Sequence, residues 1–194
     1  MPQLPHPPSK RRTQARIKKL DALYTKLLSD PRLGQIHITS ATAEHDLSKE
    51  IQKVLDDFTM DTFRPRSLRK VTWGQQTANA SMPRVEIGSH YYYPDHIIWR
   101  RDFTMAIEVK RYTGSSATLQ QIIGQSVIYS QTYGFVIVYI ADVTEEGSLA
   151  RHLNSQPLDR QDEVLLSELW WYHNTAIVCR KTKELGKTIR LVHA

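Results

Sequence analysis

The run FVIVYIA at residues 135–141 constrains the fold more than any other stretch. Seven apolar residues in a row leave no polar face, so a strand here must be covered on both sides. Its neighbours supply the cover. The segments 13–29, 42–58, 116–132 and 160–173 carry apolar residues at helical spacing or read as helices from their composition. Strands are predicted near 69–74, 83–92, 95–100, 104–111, 175–181 and 187–193. DPRLG (30–34) breaks the first helix, and a charged loop follows the buried strand. This order predicts an α/β layer fold, a mixed sheet flanked by helices.

The chain of 194 residues has 40% apolar and 24% charged residues, ordinary for a globular protein. No run of about 18 apolar residues is present, so no transmembrane helix is expected. The start, MPQLPHPPSKRRTQARIKK, has no apolar segment behind its basic residues and does not read as a secretory signal. The lone Cys179, inside TAIVC, reads as core rather than as a nucleophile. A reducing cytoplasm suits this composition. No Gly-rich phosphate loop occurs, and the eight histidines show no zinc spacing.

The net charge of +6 is uneven. Residues 1–33 hold eight basic and two acidic side chains, and the rest of the chain balances 18 against 18. The chain therefore reads as a basic N-terminal arm and helix (1–33) followed by one domain (34–194). Such an arm suits a polyanion such as nucleic acid, or simply keeps the protein solvated.

The stretch YYYPDHIIWRRDFTMAIEVKR (91–111) carries Asp95, Glu108 and Lys110 into two apolar strands. Alternation puts Glu108 and Lys110 on one face, opposite Met105, Ile107 and Val109. Pro94 lacks an N–H and marks a strand start. RRDF has the length of a hairpin link, so an antiparallel pairing would bring Asp95 beside Glu108 and Lys110. His96 then falls on the face opposite Asp95. Two adjacent carboxylates repel, and one pKa should rise. A divalent cation relieves that repulsion. Carboxylates, a backbone carbonyl (Val109) and water suit Mg²⁺. Such a metal acidifies water and stabilises charge on a phosphodiester, and Lys110 can orient that water or balance charge. The plainer alternatives are a cross-strand ion pair for Glu108 and Lys110 and a strand-start residue at Asp95.

Pro94-Asp95, twelve residues, then Glu108-Val109-Lys110 resembles the PD-(D/E)XK nuclease superfamily, which has the restriction-endonuclease-like fold. The resemblance spans about residues 42–141. It implies an αβββαβ core and a metal-dependent nuclease using Mg²⁺, with Mn²⁺ as substitute. It also implies a glutamate from the preceding helix, matched by Glu44, as a further metal ligand. Gln125 and Tyr129, in QSVIY, are similar to the Gln–Tyr pair of the RecB-like branch, where the glutamine belongs to the site. Arg64, Arg66, Arg69, Lys70, Arg100, Arg101 and Arg111 lie near the motif in sequence and are candidate phosphate contacts. Tyr129 joins them as a candidate nucleic-acid contact. The expected partner is nucleic acid, with DNA first; no membrane is involved, and a homodimer stays open. The competing expectation is a catalytically inactive nucleic-acid-binding or assembly module on the same fold.

Overall fold

The chain folds as α1 (Gln14–Leu28), α2 (Pro31–Gln35), α3 (Glu44–Thr62), β1 (Leu68–Trp73), β2 (Val85–Ile87), β3 (His90–Tyr92), β4 (His96–Arg100) and β5 (Phe103–Tyr112). It continues through α4 (Ser116–Ser130), β6 (Phe135–Asp142), α5 (Ser148–Asn154), α6 (Arg160–His173), β7 (Thr175–Lys181) and β8 (Ile189–Leu191). The structure, a computed structural model, describes residues 14–62, 68–73, 84–100, 103–154, 160–181 and 189–191.

Among these residues, six strands form one mixed sheet in the order β1-β4-β5-β6-β7-β8. The β1–β4, β4–β5 and β7–β8 pairs are antiparallel, while β6 runs parallel to both neighbours. Parallel neighbours need crossovers, and α4 supplies one while α5 and α6 supply the other.

All eight residues of β6 are buried, as its unbroken apolar run requires. Alternation divides them between two cores. Phe135, Ile137, Tyr139 and Ala141 pack with residues of α1, α2 and α3. Val136, Val138 and Ile140 pack with residues of α4, α5 and α6. Helices therefore cover both faces.

Several local details depart from the sequence reading. α1 is part of the first core. Tyr24 is fully buried, its ring 5.6 Å from Phe135 and 6.0 Å from Trp170. The boundary drawn at residue 33 thus falls within a packed layer. DPRLG ends α1 but forms α2, because Asp30 accepts from the Arg32 N–H at 3.0 Å and Pro31 occupies the first turn. Arg180, buried on β7, donates to the carbonyls of Leu33 and Gly34 at 2.6 Å each, tying α2 to the sheet. The strand expected over 83–92 is a separate hairpin, turned at Gly88 with φ +62°, a conformation glycine adopts without strain. The loop after β6 contains α5, whose first turn is capped by Thr144 Oγ1 (2.8 Å from Ser148 N) and Asp142 Oδ2 (2.9 Å from Ala150 N). Cys179 is buried, and burial pushes its thiol pKa up, as expected of a core residue. No described helix is long and apolar enough to cross a membrane.

The double-sided burial of β6 carries a measurable consequence. Ile140→Ala, at a site 1% exposed, should lower the unfolding free energy by about 2–5 kcal/mol in urea titrations. A loss under about 1 kcal/mol would mean that β6 is not the packed centre of the sheet.

Candidate active site

The β4–β5 hairpin pairs His96 with Ile107, so Asp95 and Glu108 face each other one step beyond the last pair. Because β4 has ended, the Val109 N–H finds no strand partner on that side. Asp95 Oδ2 accepts from it at 2.8 Å, and the Asp95 N–H reaches Glu108 Oε2 at 3.3 Å. The N–H and C=O of one strand residue point the same way, so the Val109 carbonyl faces the same gap. Lys110, on the Glu108 face, brings its Nζ to 2.8 Å from Glu108 Oε1. All three charged side chains are buried: Asp95 is 5%, Glu108 3% and Lys110 7% exposed. The convergence expected from alternation is present in the structure.

Glu44 enters from the first turn of α3. Its Oε1 lies 3.3 Å from Lys110 Nζ, and its Oε2 accepts from the Arg111 N–H at 3.1 Å. Its role here is therefore to hold Lys110 and the end of β5, not to share a cluster with Asp95 and Glu108. Among the described residues, no group of three or more His, Cys, Asp and Glu side chains is gathered as a metal site. The donors that converge are two carboxylates and the gap-facing Val109 carbonyl. That set suits a hard cation that keeps several waters.

The electrostatics follow from burial and like charge. Burial, then the adjacent Asp95, push Glu108 from its ordinary 4.5 up to about 7, although Lys110 opposes them. For Lys110, burial pulls downward, but Glu108 and Glu44 outweigh it, and the ammonium is held charged. Tyr129 is 1% exposed and donates its hydroxyl to the Tyr93 carbonyl at 2.9 Å. Burial and the charges of Glu108 and Asp95 push its pKa up, so it faces the acidic pair as a neutral phenol. A ring so enclosed cannot stack on a base, which corrects its expected place among the nucleic-acid contacts. Its position beneath the carboxylates is instead that of a support. Gln125, one helical turn earlier, is half-buried, and its Oε1 is buried without a hydrogen-bond partner among the described residues.

The basic candidates divide into three groups. Arg64, Arg66 and Arg101 lie outside the described residues. Arg69, Lys70 and Arg100 sit on β1 and β4 at the turn end of the β4–β5 hairpin, the end opposite the one where Asp95 and Glu108 meet, and only their backbone is described. Arg111 is half-buried, and one guanidinium nitrogen donates to the Ser40 carbonyl in the loop before α3, while its Nε has no partner among the described residues.

Sequence reasoning missed one polar group. His96, fully buried on the opposite face from Asp95, bonds Ser48 Oγ at 3.0 Å and Gln52 Oε1 at 2.9 Å. Burial pulls its pKa down to about 4, so it is neutral near pH 7. The signal was present: Ser48 and Gln52 follow Glu44 at steps of four along α3, beside the apolar stripe.

No protein-family model, curated protein or solved structure matches this chain.

Glu108 makes a pH dependence for the metal-free protein. Its folded pKa lies above its ordinary value, so between pH 4.5 and about 7 the folded state keeps a proton that the unfolded chain has lost. This group's contribution to stability therefore falls as pH rises through that window, then levels off. The total is about 3 kcal/mol at most. In urea unfolding with a chelator present, Glu108→Gln should gain about 2–3 kcal/mol on the wild type between pH 5 and pH 8. Parallel stability profiles for the two proteins would show that burial and Asp95 do not raise the Glu108 pKa.

Proposed function

We propose that the protein is a metal-dependent nuclease of the PD-(D/E)XK kind, hydrolysing phosphodiester bonds, with DNA as the first substrate to test. The observation that carries this reading is the meeting of Asp95, Glu108 and Lys110 at the open end of the β4–β5 hairpin. The element order α3–β1–β4–β5–α4–β6, with β6 parallel to β5, supports a restriction-endonuclease-like core. Asp95, Glu108 and the Val109 carbonyl would hold Mg²⁺ or Mn²⁺. When bound, such an ion lowers the pKa of water and stabilises negative charge on phosphate.

The chain's own groups have distinct tasks in this reading. Asp95 is aligned by the Val109 N–H, which fixes one carboxylate before any ligand arrives. Glu108 surrenders its retained proton on binding a cation, so affinity should rise with pH. The Lys110 ammonium, steadied by Glu44, donates to the attacking water or to a phosphate oxygen. Gln125 orients water through its free carbonyl oxygen, or the scissile phosphate through its amide N–H. Arg69, Lys70 and Arg100 would position the backbone without reading sequence. The basic residues of 1–33 would add affinity that falls with salt.

One observation favours a second reading, a catalytically inactive nucleic-acid-binding or assembly module. Lys110 is already satisfied between Glu108 and Glu44, an arrangement that stands without a metal. Calorimetric titration with Mg²⁺ separates the readings, because such a module need not bind the ion.

The test is a cleavage screen with Mg²⁺ and Mn²⁺ over linear, circular, branched and single-stranded DNA and over RNA. Lys110→Ala and Asp95→Asn should each lose roughly 100-fold or more in rate. Lys110→Ala should still bind DNA within a few-fold of wild type. Equal cleavage by Lys110→Ala and the wild type would refute the proposal.

A further inference from the structure

Glu44, Ser48 and Gln52 stand at steps of four on α3 and so form one polar line along its sheet-facing side. The line touches both strand ends that build the site. Glu44 holds Lys110 and the Arg111 N–H at the end of β5. Ser48 and Gln52 hold His96, the residue after Asp95, at the start of β4. The pattern of donors continues to the surface. The Gln52 amide donates to Asp56 Oδ1 at 2.8 Å, which leaves its Oε1 facing His96. His96 Nδ1 must then carry the proton, and Nε2 accepts from the Ser48 hydroxyl. One tautomer satisfies every partner, and a satisfied buried network has a single geometry.

We infer that the line Asp56–Gln52–His96–Ser48 is a positioning latch: it sets α3 against the hairpin so that Asp95 and Lys110 are held in register for the reaction. This rests on the nuclease reading above. His96 does not touch the reacting atoms; it lies on the far face of the sheet and acts through the backbone it shares with Asp95. An apolar contact in its place would still join α3 to β4. It would let the helix slide or turn, because apolar packing has no preferred hydrogen-bond direction. A misplacement of about 1 Å at reacting groups is enough to cost on the order of 100-fold in rate.

The discriminating pair is Gln52→Met against Gln52→Glu. Both keep the side chain's length and are made with Asp56→Asn, so that no like charge faces the new carboxylate; only Glu keeps an oxygen acceptor for His96 Nδ1–H. Steady-state cleavage of whichever nucleic acid the wild type cuts best is measured with Mg²⁺. For Gln52→Met, kcat should fall roughly tenfold while KM for the nucleic acid changes less than about threefold. Gln52→Glu should recover most of that loss. Thermal melting accompanies both, and Ser48→Ala, which removes only a hydroxyl, replaces Gln52→Met if the latter fails to fold. Wild-type kcat in Gln52→Met, or equal losses in Met and Glu variants, overturns the latch while leaving the nuclease reading intact. A wild type that cleaves nothing and binds no Mg²⁺ overturns the nuclease reading, and the latch with it.

Discussion

Two carboxylates face each other at 3% and 5% exposure, where the β4–β5 hairpin opens. Burying a carboxylate, and then setting a like charge beside it, costs free energy, and the raised pKa of Glu108 expresses that cost. A fold sustains such a pair only if surrounding structure over-determines it. Here the hairpin register sets Asp95 opposite Glu108, the Val109 N–H pins one carboxylate, and Lys110 pins the other. The arrangement stores electrostatic strain that a hard cation or a proton can release. That property, more than any single contact, is the basis of the nuclease reading proposed above.

The rest of the architecture explains how the pair is supported. β6, buried on both faces and parallel to β5, is the rigid centre against which the hairpin is held. α4 leaves the end of β5 and returns Tyr129 beneath the carboxylates, where its hydroxyl also fastens Tyr93, two residues before Asp95. α3 approaches the other face with its polar line and reaches the end of β5 through Glu44. Helices on opposite faces therefore meet the same few residues of one hairpin. Functional groups placed on strands and helices are held more closely than groups on loops.

The main elements were legible because their periodicities are plain. The run 135–141 allowed only a doubly covered strand, and the two-residue alternation of Glu108 and Lys110, with a hairpin-length link, implied their meeting with Asp95. What escaped was set by contacts distant in sequence. Ser48 and Gln52 looked like ordinary helix residues until His96 was placed against them. Tyr129 and Arg111 had the right chemistry for nucleic acid, but packing turned one inward and bound the other to Ser40. Glu44 was found at the site, but as a partner of Lys110 rather than beside the acidic pair. Helix α5 was hidden in a charged stretch: Leu149, Ala150 and Leu153 face the core at helical spacing, but a helix of 7 residues gives a short signal, and its first turn rests on caps from Asp142 and Thr144.

The most direct measurement is the location of manganese in crystals of the wild-type protein grown with millimolar MnCl₂, read from anomalous scattering. The account places one peak at about 2 Å from carboxylate oxygens of both Asp95 and Glu108, with the Val109 carbonyl in the same shell. Density for the ion elsewhere, or none at saturating manganese with the two carboxylates still facing each other, would contradict it.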